Sequence, residues 1–95
     1  MKSTTIVARI QAKEAATRAE GVAHVSIFGS RARGDASDLD FLIQLVPDCR
    51  FSLLNLSRVG LIIEEATGLQ AQIILERSAP PDFKARIADD LAPVF

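Results

Sequence analysis

The sequence predicts a small α/β (α+β) fold: one mixed β-sheet with helices packed on it, in the order α-β-β-α-β-α. Three observations carry that expectation. Short apolar runs bounded by glycine or proline recur at 22–28, 38–46 and 70–76, as buried strands do. Stretches with apolar residues at helical spacing alternate with them at 4–19, 53–67 and 82–91, and strands interleaved with helices give a mixed sheet covered on at least one face. The chain has 95 residues and no linker divides it, so residues 1–95 are expected to form a single domain.

In the first helix, Ile6, Val7 and Ile10 stand at helical spacing among alanines. Thr4 or Thr5 can cap its start and Gly21 ends it. The run Val22 to Phe28 is apolar and bounded by glycines, hence a buried strand. Residues 29–37, Gly-Ser-Arg-Ala-Arg-Gly-Asp-Ala-Ser, have loop composition. In the second strand a period of two puts Asp38, Asp40, Leu42 and Gln44 on one face, and Leu39, Phe41, Ile43 and Leu45 on the other. Pro47 stops it. Ser52 can cap the middle helix and Gly68 closes it. A third strand follows at 70–76. Ala79-Pro80-Pro81 makes a turn, and Asp82 can cap the last helix.

Composition narrows the function classes. A domain of this length buries roughly 60–65% of the surface that its unfolded chain exposes, yet 48% of the residues are hydrophobic. Some apolar surface is therefore expected to meet another chain, a twin or a partner. Leu53, Leu54, Leu61, Ile62 and Ile63 form an apolar surface on the middle helix that serves either core or interface. The net charge of −1 argues against general nucleic-acid binding, which needs a basic surface to displace counterions. It leaves room for one compact anion in a local basic pocket. The single cysteine, Cys49, allows no intramolecular disulfide and reads as a passive thiol in a turn. No apolar run suits a signal peptide or a membrane span, so a cytoplasmic location without membrane contact is expected. His24, the one histidine, reads as a strand residue rather than a base.

The segment from Ile27 to Ile43 carries the chemistry. A buried strand ends in Gly29-Ser30; glycine lets backbone approach a ligand, and serine offers a hydroxyl and an N–H to a phosphate oxygen. Arg31 and Arg33 flank the turn, and arginine pairs bidentately with phosphate. Asp38 and Asp40 stand two apart on a strand, so both carboxylates project to one face. Two hard oxygen ligands suit Mg²⁺, which takes a couple of carboxylates with waters and substrate phosphates. Together these make a site for a Mg-bound nucleoside triphosphate. The plain alternative is that Arg31 or Arg33 supplies the counter-charge of a structural salt bridge to the paired carboxylates.

The run Gly29-Ser30-Arg31-Ala32-Arg33-Gly34-Asp35-Ala36, followed by Ser37-Asp38-Leu39-Asp40, resembles the signature of polymerase-beta-type nucleotidyltransferases in their minimal (MNT) form. These are small bacterial and archaeal proteins, often the antitoxin half of toxin–antitoxin pairs with a helical HEPN-domain partner. The resemblance covers the chain from about residue 22 onward. It implies the nucleotidyltransferase fold and transfer of a nucleotide, usually AMP from ATP, to an acceptor hydroxyl; in MNT pairs that acceptor resembles a tyrosine on the HEPN protein. Carried over, Gly29 and Ser30 would cradle the triphosphate, and Asp38 and Asp40 would bind Mg²⁺ as catalytic residues. The partners implied are a nucleoside triphosphate and either a HEPN-domain protein or further copies of this chain.

Two departures from the family pattern follow. The loop from Arg31 to Ser37 is shorter than is usual between Gly-Ser and Asp-x-Asp. The third carboxylate, expected on the third strand, is matched by Gln72, and a neutral amide is a poor Mg²⁺ ligand and no base. Gln70, Gln72, Ile74 and Glu76 alternate onto one face, but Glu76 lies about 13 Å beyond Gln72 along the strand. Glu64 and Glu65 read as a solvated helix face. Two functions are thus expected: a Mg-dependent nucleotidyltransferase, or a catalytically impaired domain of that fold that neutralises a toxin by direct contact.

Overall fold

The computed structural model describes residues 3–28 and 38–95, with side chains from residue 5 in the first helix and from residue 40 in the second strand. The N-terminal helical stretch is two helices, α1 (Ser3–Gln11) and α2 (Glu14–Ala19). Ile6 and Ile10 of α1 and Thr17 of α2 are buried. The inward stripe therefore runs 6, 10, 17, and Lys13-Glu14 falls where it would continue. The chain turns there. Lys13 N donates to Ile10 O at 2.9 Å, the tighter i−3 bond, before Thr17 N resumes helical bonding to Lys13 O at 3.0 Å. A single straight helix over 4–19 would drive those charges into the core. Because α1 begins at Ser3, Thr4 and Thr5 lie inside its first turn rather than capping it.

Four strands make one sheet. They are β1 (Val22–Phe28), β2 (Asp38–Leu45), β3 (Gln70–Leu75) and β4 (Ala92–Pro93), ordered β3-β2-β1-β4. β1 and β2 are antiparallel, β2 and β3 are parallel, and β4 lies antiparallel to β1. The parallel pair needs a crossover, which α3 (Leu53–Thr67) supplies. Ser52 begins it with a full capping box: its Oγ accepts from Asn55 N, while Asn55 Oδ1 accepts from Ser52 N at 3.0 Å. Gly68 ends α3 at φ 72°, its N–H bonded to Glu64 O; glycine adopts this left-handed cap without steric cost.

The strand alternation sorts the apolar side chains onto two faces. Val22, Val25, Ile27, Phe41 and Ile43 pack with Ile6 and Ile10 of α1 and Val59 and Ile63 of α3 into the main core. A bulge between Val22 and His24 returns Val22 to this face. Phe28 and Leu42 face the other way, onto Ile87 and the partly buried Phe83 and Leu91. These belong to and follow α4 (Pro81–Ile87). Helices thus cover both faces.

The C-terminal segment differs most from expectation. α4 starts with Pro81 at its first position and Pro80 as N-cap, the favoured place for proline, so Asp82 sits in the first turn instead of capping. A 3₁₀ turn at Ala88–Asp90 follows, then β4, in place of one helix over 82–91. Val94 carries the reason. It is 3% exposed, and its N–H donates to Val25 O at 2.8 Å. Gln11 Nε2 donates to Val94 O at 2.7 Å. Burial of one valine against β1 requires extended backbone there. β2 and β3 each end one residue early. Val46 N instead bonds Gly21 O at 2.9 Å, and Glu76 opens a 3₁₀ turn.

Candidate functional site

β1 leaves the sheet at Phe28 and β2 enters it at Asp38, with residues 29–37 between them. In the antiparallel register Phe28 lies opposite Asp40. In the parallel register on its other side Asp40 lies opposite Gln72, and Asp38 opposite Gln70. Residues opposite each other in adjacent strands share a face. Phe28, Asp40 and Gln72 therefore form one row across three strands, on the face that α4 covers.

The next row, Ser26, Leu42 and Ile74, lies toward α4. Leu42 is buried there and Phe28 meets Phe83 edge-on, with ring centroids 6.0 Å apart and planes at 79°. That aromatic pair (favourable by about 0.5–1.5 kcal/mol beyond its area) fixes one wall beside the row. Asp40 is half-buried and Gln72 exposed. Asp40 is engaged by another group of the chain. Its carboxylate thus sits at the edge of the apolar floor, on the side where β2 begins.

The expected site residues divide clearly. Asp40 stands at this sheet end with Gln72 as its neighbour across the strands. Asp38 is the first residue of β2, and its side chain lies outside the described residues. Gly29, Ser30, Arg31 and Arg33 lie outside them altogether. Among the described residues no group of three or more His, Cys, Asp or Glu side chains converges to hold a metal ion. Glu76 is at the opposite end of the sheet, so it contributes nothing beside Asp40. Glu64 does more than face solvent: its Oε2 accepts from Ala71 N at 3.1 Å, covering one backbone donor on the outer edge of β3.

His24 and Glu76 instead line a cavity of about 430 Å³ with Gln44, Asp48 and Arg77. Gln44 lies four positions beyond Asp40 on β2, about 13 Å, so this cavity is separate from the Asp40 row. Cys49 is half-buried, and its thiol donates to Gly21 O at 3.7 Å, a passive contact in the turn. Of the apolar residues noted on α3, Ile63 is core and Ile62 half-buried, whereas Leu53, Leu54 and Leu61 are 82%, 60% and 54% exposed. No helix among the described residues is long and apolar enough to cross a membrane.

The sequence and the fold both have relatives. Residues 9–93 match the family model of the nucleotidyltransferase domain. A protein of Methanocaldococcus jannaschii named "Putative protein adenylyltransferase MJ0435" is 35% identical over 78 residues, covering 79% of this chain and 82% of the relative. A solved structure described as a "putative minimal nucleotidyltransferase" superposes with a TM-score of 0.79 at 31% identity, over 98% of this chain and 96% of that one. A structure of a tri-AMPylated Shewanella oneidensis HEPN toxin in complex with its MNT antitoxin matches with a TM-score of 0.66 over 100% of this chain and 72% of that one. At 13% identity, this last likeness speaks to the fold alone.

Proposed function

The chain belongs to the nucleotidyltransferase domain family, in its minimal MNT form, and from that premise we propose that it transfers AMP from Mg-bound ATP to a hydroxyl group on a helical HEPN-type partner protein. The observation that carries this reading is the Phe28–Asp40–Gln72 row. The Asp40 carboxylate stands opposite Phe28, the residue that Gly29-Ser30 follow in the sequence, beside an apolar wall. In this reading Gly29 and Ser30 offer backbone N–H groups and a hydroxyl to the triphosphate, and Arg31 and Arg33 balance its charge. Asp38 and Asp40 hold Mg²⁺ by their carboxylates. The donor set fits that ion, being oxygen-only and anionic. When bound, Mg²⁺ would neutralise charge on the triphosphate and on the oxygens exchanged at phosphorus.

The chemistry is a displacement at the α-phosphorus. The acceptor hydroxyl oxygen forms the new P–O bond, the bond to the β-phosphate oxygen breaks, and pyrophosphate leaves. The hydroxyl proton passes to a base or to water. The chain's contribution is alignment: the cradle fixes the phosphates and the sheet end fixes the carboxylates, so reacting atoms meet in line. Recognition of the acceptor falls to the partner's own surface. A HEPN-type partner accords with the toxin–antitoxin assemblies that share the fold.

A second reading rests on Gln72. It occupies the position across from Asp40 where a third carboxylate would complete the metal site and take the acceptor's proton. A neutral amide does neither well, and loss of a general base costs about 10²–10⁴ in rate. The alternative function is a catalytically impaired antitoxin that acts by direct binding. Incubation of the chain and its genomic neighbour with α-labelled ATP and Mg²⁺ separates the two. Transfer of label to the partner by the wild type, lost in Asp40→Asn, supports the enzyme. Label appearing only with Gln72→Asp supports the binding protein.

A further inference from the structure

β3 is an edge of the sheet, with β2 on one side and no strand on the other among the described residues. Ala71 N points outward, to Glu64. By the alternation of a strand, the N–H and C=O groups of Ile73 and Leu75 point outward too. Residues 70–75, Gln-Ala-Gln-Ile-Ile-Leu, carry no charge and no proline, the devices that usually protect such an edge. Among the described residues, the Glu64 cap at Ala71 blunts it.

α3 lies beside this edge. A groove of about 370 Å³ joins the two, lined by Ser57, Gly60, Leu61 and Glu64 of α3 and by Ala71 and Ile73 of β3. Leu53 and Leu54 stand exposed on the same helix. Gly60 is the informative residue. A glycine inside a helix costs about 0.5–1 kcal/mol relative to alanine. A Cβ at Gly60 would meet only Ile73 Cδ1 at 3.7 Å, ordinary contact. Nothing among the described residues of one copy requires a glycine there.

We propose that this face pairs with a second copy of the chain through an antiparallel β3–β3 contact about a two-fold axis at Ile73. Ile73 meets its own copy and Ala71 meets Leu75 of the second copy; Glu64 gives up Ala71 N to the Leu75 carbonyl, so the outward-pointing groups of both edges bond to each other. The contact is isologous and closes as a dimer with an eight-stranded sheet. Because Gly60 lies over Ile73, the axis passes where α3 is thinnest, at Ser57 and Gly60. The two α3 helices approach there, and Leu53, Leu54 and Leu61 gain cover. Charges agree as well. α3 ends near the start of β3, where Glu64 meets Ala71; it begins near the end of β3, where Arg77 bonds Phe51 O. The two-fold brings Glu64 of one copy toward Arg77 of the other and sets no like charges opposite each other along residues 70–75. Nucleotide plays no part, so this proposal stands or falls apart from the transferase reading.

Sedimentation of the full chain across the micromolar range, with amide hydrogen exchange, tests it. The expected mass is twice the 10.3 kDa of the chain, with Ile73 and Leu75 amides slowed about tenfold or more in the dimer. Leu61→Glu, a change at an exposed position, should raise the dissociation constant about tenfold or more by burying an unpaired charge. It should restore fast exchange at both amides and leave the circular dichroism of the fold unchanged. Gly60→Gln gives a second, independent weakening. A monomer at every concentration overturns the proposal. So does a dimer whose Ile73 and Leu75 amides exchange fast, or protection of those amides that appears only when a different protein is added.

Discussion

Substituting aspartate for Gln72 turns the row across β2 and β3 into a direct measurement. Gln72 lies opposite Asp40, and adjacent strands are about 4.8 Å apart. Two carboxylates there would sit about 5 Å apart. Their repulsion is about 0.8 kcal/mol at the dielectric of water and about 3 kcal/mol at an effective value of 20. Gln72 is exposed and Asp40 half-buried, which favours the lower figure. We expect Gln72→Asp to cost about 1 kcal/mol without metal, lowering the thermal midpoint by about 4–8 °C for a domain of this size. The cost should vanish in an Asp40→Asn background, as a double-mutant cycle requires. Mg²⁺ at about 100 times its dissociation constant should then return about 2.7 kcal/mol, reversing the loss. Thermal melts of the four proteins with and without Mg²⁺ read all of this. A Gln72→Asp protein as stable as wild type, insensitive both to Asp40→Asn and to Mg²⁺, would refute the geometry of the site and the metal role of its carboxylates together.

Three further predictions concern the scaffold. Phe41 is fully buried in β2, so Phe41→Ala should cost about 3–5 kcal/mol and lower the urea midpoint by about a fifth or more, since such domains hold only about 5–15 kcal/mol. Ser52→Ala removes the Oγ that accepts from Asn55 N and should cost about 1 kcal/mol in thermal melts. Gly21 has φ 107°, and a Cβ there would lie 3.3 Å from Cys49 Sγ, whereas at Gly68, φ 72°, it would meet nothing within 4 Å. Gly21→Ala should therefore destabilise more than Gly68→Ala in urea titrations. Equal losses would show that conformational strain alone, without the Cys49 contact, sets the cost.

Much of this was legible because it is local. The period of two in Asp38–Leu45 assigned Asp40 and Leu42 to one face and Phe41 and Ile43 to the other, and backbone geometry alone enforces that. Ser52 and Gly68 marked the ends of α3 because capping and left-handed φ are properties of single residues. Other features were hidden because they depend on residues far apart in the chain. The break at Lys13 answers to a core that α1 and α2 line together. β4 exists because Val94 is buried and hydrogen-bonded to Val25, and nothing in Ala-Pro-Val reads as a strand. The bulge after Val22 is set by the register of β2. Glu64 looked like a solvated charge, and only the proximity of α3 to the β3 edge makes it a backbone cap.

The functional site divides along the same line. Residue order and alternation by themselves carried the family signature and the expectations that Asp38 and Asp40 share a face and that Gly29-Ser30 form a phosphate-binding turn, since all lie within a short stretch of chain. Tertiary structure decided which strand lies beside Asp40 and in what register, placing Gln72 there and Glu76 at the far end. It also decided which leucines of α3 stay uncovered. A strand's own sequence fixes which residues share a face; only the hydrogen-bonded ladder to a neighbour, joined here through a fifteen-residue helix, fixes which residue stands opposite which.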